Sequence, residues 1–267
     1  MTFPVQIPIG PYRIDPHVVF EFLAYTIGFR VYLKTRSKEM LPFDKAIWVV
    51  VGAIAGAAIG SKILFWFENP PLTLEHITDF MFLMGGKTIV GGLLGGLIGV
   101  EFAKKRLHWT RRTGDDFVMP LIVGMSIGRI GCFLSGLQDD TSGSATTWFT
   151  GVNFGDGIPR HPTQLYEIAF LIVLGIVITF VSNRSRLAQG ARFQIFMLAY
   201  LAFRLGVDFL KPRAIIFLGL GTIQIVCILG ILYYIKFIPH WRSTALSADE
   251  PTIDEHVTSE TASVSLS

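Results

Sequence analysis

The chain has 267 residues, of which 51% are hydrophobic and 16% charged, with a net charge of +3 and a mean hydropathy of +0.52. That balance is too apolar for a soluble domain of this size and fits a polytopic membrane protein. The net charge says little, because placement matters more than the sum; no nucleic-acid partner is expected, and with two cysteines in apolar runs, Cys132 and Cys227, no disulfide framework is expected.

The first sixteen residues hold Pro4, Pro8, Pro11 and Pro16 and lack a basic stretch followed by an apolar one, so no cleaved signal peptide is expected. Seven predominantly apolar segments then follow: 17–33, 46–67, 85–102, 117–136, 163–182, 193–210 and 215–235. Each approaches the roughly 20 residues that a spanning helix needs. The third is short and the sixth carries charges. The stretch from Ser243 onward is rich in Ser, Thr, Glu and Asp and is expected to be a disordered tail. The expected organisation is a seven-helix domain over 1–242 with a tail over 243–267, and a small outer head in the long loop between the fourth and fifth helices. That loop carries Trp148, Phe149, Phe154 and several glycines, and loops of such length usually act as lids or binding heads.

Basic residues set the orientation. Lys34, Arg36, Lys38 and Lys45 follow the first segment; Lys104, Lys105, Arg106, Arg111 and Arg112 follow the third. Arg184, Arg186 and Arg192 follow the fifth, and Lys236 and Arg242 the seventh. Fourteen of the 23 basic residues thus lie on one side, which the positive-inside rule makes cytoplasmic. The N-terminus is then outside and the C-terminus inside, as an odd number of spans requires.

The charges inside the spans are the chemical signal. At about 1.5 Å per residue, Arg129 and Arg204 sit roughly 16–18 Å from the inner face. Asp208 follows Arg204 by four residues, hence on the same helix face. Glu21, Lys87, Gln164, Tyr166 and Glu167 come early in inward-running spans, and Lys62 comes late in an outward-running one. Polar groups from several helices therefore share the outer half of the bilayer. A lone Arg–Asp pair is as readily structural as functional, but such convergence marks a site. Cations outnumber anions, and the guanidinium fork suits phosphate or carboxylate. A phospholipid of the outer leaflet is the anion expected there.

The run "GGKTIVGGLLGGLIG" (85–99) spaces its glycines for close helix contact. Beside that packing role, Gly91 and Gly92 are candidates for the lipid site along with Lys87 and its backbone amides. His161 precedes the fifth helix, where Pro162 stands at the helix start; it is a capping group or a base.

"GRIGCFLSG" (128–136), "RHPTQLYE" (160–167) and "AYLAFRLGVDFLKPR" (199–213), in this order, resemble the phosphatidylglycerol–prolipoprotein diacylglyceryl transferase family. The resemblance runs from about Ile9 to Arg242. It implies a bacterial inner-membrane transferase that moves the diacylglyceryl group of phosphatidylglycerol onto the lipobox cysteine of a prolipoprotein signal peptide. A thioether forms and glycerol phosphate leaves, with the active site facing the outer leaflet. No cofactor is implied, and the sequence shows no metal-ligand spacing. Arg129 and Arg204 match the family's two essential arginines. The family's usual G-R-x-G-N-F-x-N-G-E is altered here: Cys132 and Ser135 replace the asparagines, and Leu137 the glutamate. Its F-H-G-G reads Ile89-Val90-Gly91-Gly92, which removes its histidine, and Glu21 replaces its tyrosine in the first span. Catalytic candidates are Arg129, Arg204, Glu21 and His161; substrate-binding candidates are Lys87, Gly91, Gly92, Gln164, Tyr166, Glu167 and Asp208. The base is left open among Glu21, Glu167, His161 and the arginine field itself. A related phospholipid-dependent transferase with another acceptor, or a phospholipid-binding protein without chemistry, remains an alternative. The chain shows no internal repeat of the kind expected for a transporter.

Overall fold

The computed structural model describes residues 3–9, 11–36, 42–212 and 214–241. The expected tail over 243–267, Lys38 and Arg242 lie outside the described residues.

Seven helices of 14 residues or more coincide with the seven apolar segments: α1 (Pro16–Thr35), α2 (Phe43–Glu68), α5 (Ile89–Arg106), α6 (Val118–Ser135), α7 (Thr163–Arg184), α8 (Ala191–Asp208) and α9 (Thr222–Ile235). Between α2 and α5 lie two short helices, α3 (Pro70–Glu75) and α4 (Phe80–Gly85). Among the described residues, three helical stretches, Phe43–Glu68, Gly114–Asp139 and Thr163–Arg184, are long and apolar enough to cross a membrane. Their outward surfaces carry apolar side chains such as Ile54, Ile59, Ile172, Ile176 and Phe180, as lipid-facing helices do. The chain is an all-helical membrane protein.

Two ends differ from the sequence expectation. α5 starts at Ile89 rather than at residue 85: Gly85 closes α4, Gly86 leaves it in an extended conformation, and Thr88 is extended at the N-cap of α5. α9 starts at Thr222 rather than at 215. The apolar residues before it form a tight turn in which Phe217 and Leu220 exchange backbone hydrogen bonds, with Leu218 and Gly219 at positive φ.

Two antiparallel helix pairs are built on small residues. In α2 and α5, Gly52, Gly56 and Gly60 oppose Gly99, Gly95 and Gly91, so closely that a Cβ on any of them meets the facing backbone. Among α1 and α6, Gly28 faces Pro120 and Gly124, while Gly131 lies against Phe20 and His17. In lipid, where no hydrophobic drive joins helices, such backbone approach supplies the dispersion contact that does. α7, α8 and α9 join α6 around a core that includes Leu171, Phe196, Met197, Tyr200, Leu201 and Cys227. On the side of the basic loops, the Asp115 carboxylate accepts from the Gly190 and Phe193 amides at 2.7 and 3.0 Å, capping α8 from another segment.

At the opposite end, Asp15 caps α1 by accepting from the His17 amide at 2.7 Å, with Pro16 in the first turn. Gly136, at φ +64°, ends α6 and turns the chain into a 3-10 turn over Gly136–Asp139. Phe3 packs edge-on against Phe133 and Phe154, which ties the N-terminal segment to the head. Two small hairpins complete this end: β1 (Ile7–Ile9) with β2 (Tyr12–Ile14), and β3 (Val152–Asn153) with β4 (Pro159–Arg160).

Candidate active site

The charged side chains gather where α6, α7 and α8 meet. Arg129 on α6 places Nη2 2.8 Å from Oε2 of Glu167 on α7, and both residues are buried. The other oxygen of Glu167 accepts from the Tyr200 hydroxyl of α8 at 2.8 Å. One turn beyond Tyr200, Arg204 reaches Asp208 with Nη2 at 3.4 Å, again among buried groups. The i, i+4 spacing read from the sequence is therefore a contact.

These arginines are not saturated. Among the described residues, Arg204 Nε and Nη1, Arg129 Nε and the Gln224 amide nitrogen are buried donors without an acceptor. Leaving such a group unpaired costs about 1–3 kcal/mol, more when it is charged. Native interiors seldom tolerate several, so these donors mark a place for an acceptor-rich ligand. The Lys211 ammonium, just past the end of α8, belongs to the same field. Burial and then the nearby Arg204 and Arg129 push its pKa down to about 7, against opposing contributions from Glu167 and Asp208.

A second group lies between the start of α1, the end of α6 and the loop before α5. Glu21 Oε1 accepts from Lys87 Nζ at 2.6 Å and from the Tyr25 hydroxyl at 2.9 Å. Its Oε2 is 3.6 Å from His17 Nε2. His17 Nδ1 lies 2.8 Å from Asp139 and 3.8 Å from the Cys132 sulfur. That sulfur is 3.9 Å from Arg129 Nη1, which joins the two groups. Asp139 also accepts from the Thr141 hydroxyl at 2.6 Å, and that hydroxyl accepts from the Gln164 amide at 3.0 Å. Gln164 Oε1 is buried and unpaired.

His161 is buried in the head, with Nδ1 3.2 Å from the Tyr166 hydroxyl, whose oxygen is 2.6 Å from Thr150 Oγ1. Trp148 stands edge-on over its ring. His161 and Tyr166 thus form a unit of their own rather than joining the Arg129–Glu167 pair. Gly91 and Gly92 sit in the α2–α5 interface, Gly91 against Gly60 and Leu64 and Gly92 near Ala57 and Ser61. This favours the packing role for both. Lys62 is spent on main-chain carbonyls of Met84 and Gly86.

Sequence reasoning missed Tyr200, Asp139, Thr141 and His17 as members of this network. Cys132 was noted for standing where the resembled family has asparagine, but not as a site residue.

The family model for prolipoprotein diacylglyceryl transferase matches residues 4–239. The chain belongs to this family. Relatives named phosphatidylglycerol–prolipoprotein diacylglyceryl transferase include one from Pseudoalteromonas atlantica, 32% identical over 78% of this chain and 75% of its own. A second, from Nitrosomonas europaea, is 33% identical over 83% of this chain and 82% of its own. A third, from Bordetella parapertussis, is 33% identical over 78% and 82% respectively.

Proposed function

We propose that the protein transfers the diacylglyceryl group of phosphatidylglycerol to the lipobox cysteine of a prolipoprotein. Family membership gives the reaction class. The observation that carries it to these residues is the set of buried, unpaired donors on Arg129 and Arg204. The acceptor thiol loses its proton and its sulfur attacks the glyceryl carbon that bears the phosphate. The carbon–oxygen bond breaks, and the oxygen leaves with the electron pair as glycerol phosphate. Arg204 and Arg129 hold the phosphate and stabilise the charge that grows on that oxygen. Asp208 and Glu167 orient the two guanidinium groups, Gln164 and Lys87 border the headgroup, and Tyr166 positions His161.

In this reading all seven long helices span the bacterial inner membrane, with the N-terminus outside, the C-terminus inside and the site open to the outer leaflet. The basic loops support that direction, and residues 1–242 act as one domain. A lipid-binding protein without chemistry is the second reading, favoured by Val90, 1% exposed where the family has its histidine.

Mass spectrometry of the purified full chain with phosphatidylglycerol and a lipobox peptide separates them. A peptide heavier by one diacylglyceryl group, with release of glycerol phosphate, is the expected result. Lipid binding with no mass gain rejects the transfer.

A further inference from the structure

We propose that His17, Cys132 and Asp139 form a binding site for a thiophilic divalent cation of the zinc class. The site is independent of the transfer reading. One imidazole nitrogen, one sulfur and one carboxylate oxygen converge here with all donor atoms within 4.8 Å of one another. No sequence spacing announces this, because the ligands come from the first turn of α1, the last turn of α6 and the 3-10 turn that follows.

Distances suit a small ion. Around tetrahedral zinc, a nitrogen and a sulfur ligand lie roughly 3.6 Å apart, and His17 Nδ1 is 3.8 Å from Cys132 Sγ. His17 Nδ1 and Asp139 Oδ1, at 2.8 Å, open by about half an ångström around an ion at ordinary bond lengths.

The surroundings are those of a metal centre. A ligating histidine characteristically gives its second ring nitrogen to a carboxylate; His17 Nε2 faces Glu21 Oε2 at 3.6 Å. The ligand carboxylate is itself held, with Thr141 Oγ1 donating to Asp139 Oδ2 at 2.6 Å. Ser135 and the His17 amide both donate to Asp15 Oδ1, at 2.8 and 2.7 Å, which locks the start of α1 to the end of α6. The ligand-bearing elements are thus fixed before any ion arrives.

The donor set chooses the ion. One thiolate and one carboxylate neutralise a divalent charge, and imidazole with thiolate selects zinc-like metals over calcium or magnesium, which want six or more oxygens. Arg129 Nη1, 3.9 Å from the sulfur, opposes a cation, and the Glu167 carboxylate 2.8 Å from the same guanidinium offsets part of that charge. Three protein ligands leave a fourth position for water or an incoming thiolate.

Cobalt(II) is the probe, since a cobalt–thiolate bond absorbs in the near ultraviolet. Cys132 and Cys227 are the chain's two cysteines, so Cys227→Ser leaves Cys132 as the sole possible source of that band. The full-length Cys227→Ser protein, purified without a polyhistidine tag and stripped with chelator, should bind about one equivalent of cobalt and show the band. Zinc should displace it. Adding Asp139→Asn, which keeps the shape but removes the charge and one acceptor oxygen, should weaken cobalt at least tenfold. Absence of the band in Cys227→Ser overturns the site, because that variant keeps all three ligands. Equal affinity with and without Asp139→Asn overturns it as well, leaving a hydrogen-bonded His–Asp–Cys cluster that holds no ion.

Discussion

Glu167 holds Arg129 through one carboxylate oxygen at 2.8 Å and the Tyr200 hydroxyl through the other, also at 2.8 Å. Both oxygens are engaged, so this carboxylate fixes an arginine and is poorly placed to take a proton. Among the described residues, Arg204 has the longer 3.4 Å contact to Asp208 and two donors without an acceptor. The two arginines therefore differ: one is anchored, the other is available.

Replacing either arginine by lysine keeps the charge and removes the planar fork. In Arg204→Lys, transfer should fall by about 10²–10³, the usual loss when a donor to developing oxyanion charge is removed. Arg129→Lys should lose a similar factor. Turnover with the lipobox peptide, on protein shown to be folded in detergent, is the measurement; near-normal turnover in Arg204→Lys rejects bidentate phosphate recognition.

Glu167→Gln removes the anion but leaves Arg129 buried. Breaking a buried pair in this way costs about 3–5 kcal/mol, so the variant should melt at a clearly lower temperature than the parent. An anionic lipid that meets the same arginines should recover part of that loss. Thermal melts with phosphatidylglycerol and with phosphatidylcholine test this, the zwitterionic lipid being expected to do less.

Lys211 supplies a pH dependence. With its pKa near 7, it is protonated below that value and neutral above. The phosphodiester of phosphatidylglycerol keeps its charge throughout, so lipid binding should strengthen as pH falls from 8.5 to 6. In Lys211→Met that dependence should flatten. Binding isotherms across this range decide; an unchanged slope in the variant removes Lys211 from the site.

Orientation is tested by labelling single cysteines with an impermeant reagent in intact cells, in a background lacking Cys132 and Cys227. A probe at Ser144, in the head, should react. Probes at Thr110 and Ser259 should not. Reaction at Ser259 from outside would reverse the assignment of sides.

The helices were legible because an apolar run near 20 residues has few soluble alternatives. Their ends were less so. Hydropathy continues through Ile215, Ile216 and Phe217, yet Leu218 and Gly219 turn the chain there, and a left-handed pair leaves no hydropathy signature. α3 and α4 had local signals that a hydropathy reading passes over: Asn69 before Pro70, and Asp79 capping the Met81 and Phe82 amides. In the site, Arg204–Asp208 was readable because helical spacing fixes it. Arg129–Glu167–Tyr200 draws on three helices, and which faces meet is decided by packing. His17 and Asp139 escaped for the same reason. Gly91 and Gly92 show the reverse case, where one pattern serves two roles and only the facing glycines of α2 distinguish them.

The base is sought elsewhere, because by the resemblance Val90 stands where a histidine is expected. Glu21 is the obvious substitute, but its partners speak against it. Lys87 and Tyr25 both donate to Oε1, and His17 faces Oε2, so both carboxylate oxygens already have partners. Glu21→Gln should therefore keep turnover within about tenfold of the parent, since loss of a true general base typically costs 10²–10⁴. Lipid phosphate should bind as well or better, because Lys87 loses its anion. His161→Ala should have a larger effect, through the Tyr166 and Thr150 hydrogen bonds that His161 completes. Restoring the histidine with Val90→His should gain little: the side chain at 90 is enclosed, and a larger ring there strains the α5 packing. A fall of more than a hundredfold in Glu21→Gln with lipid binding intact would instead establish Glu21 as the base. Normal turnover in Glu21→Gln and His161→Ala alike would leave no role for either as a base, and the acceptor thiol would then have to reach the arginine field already ionised.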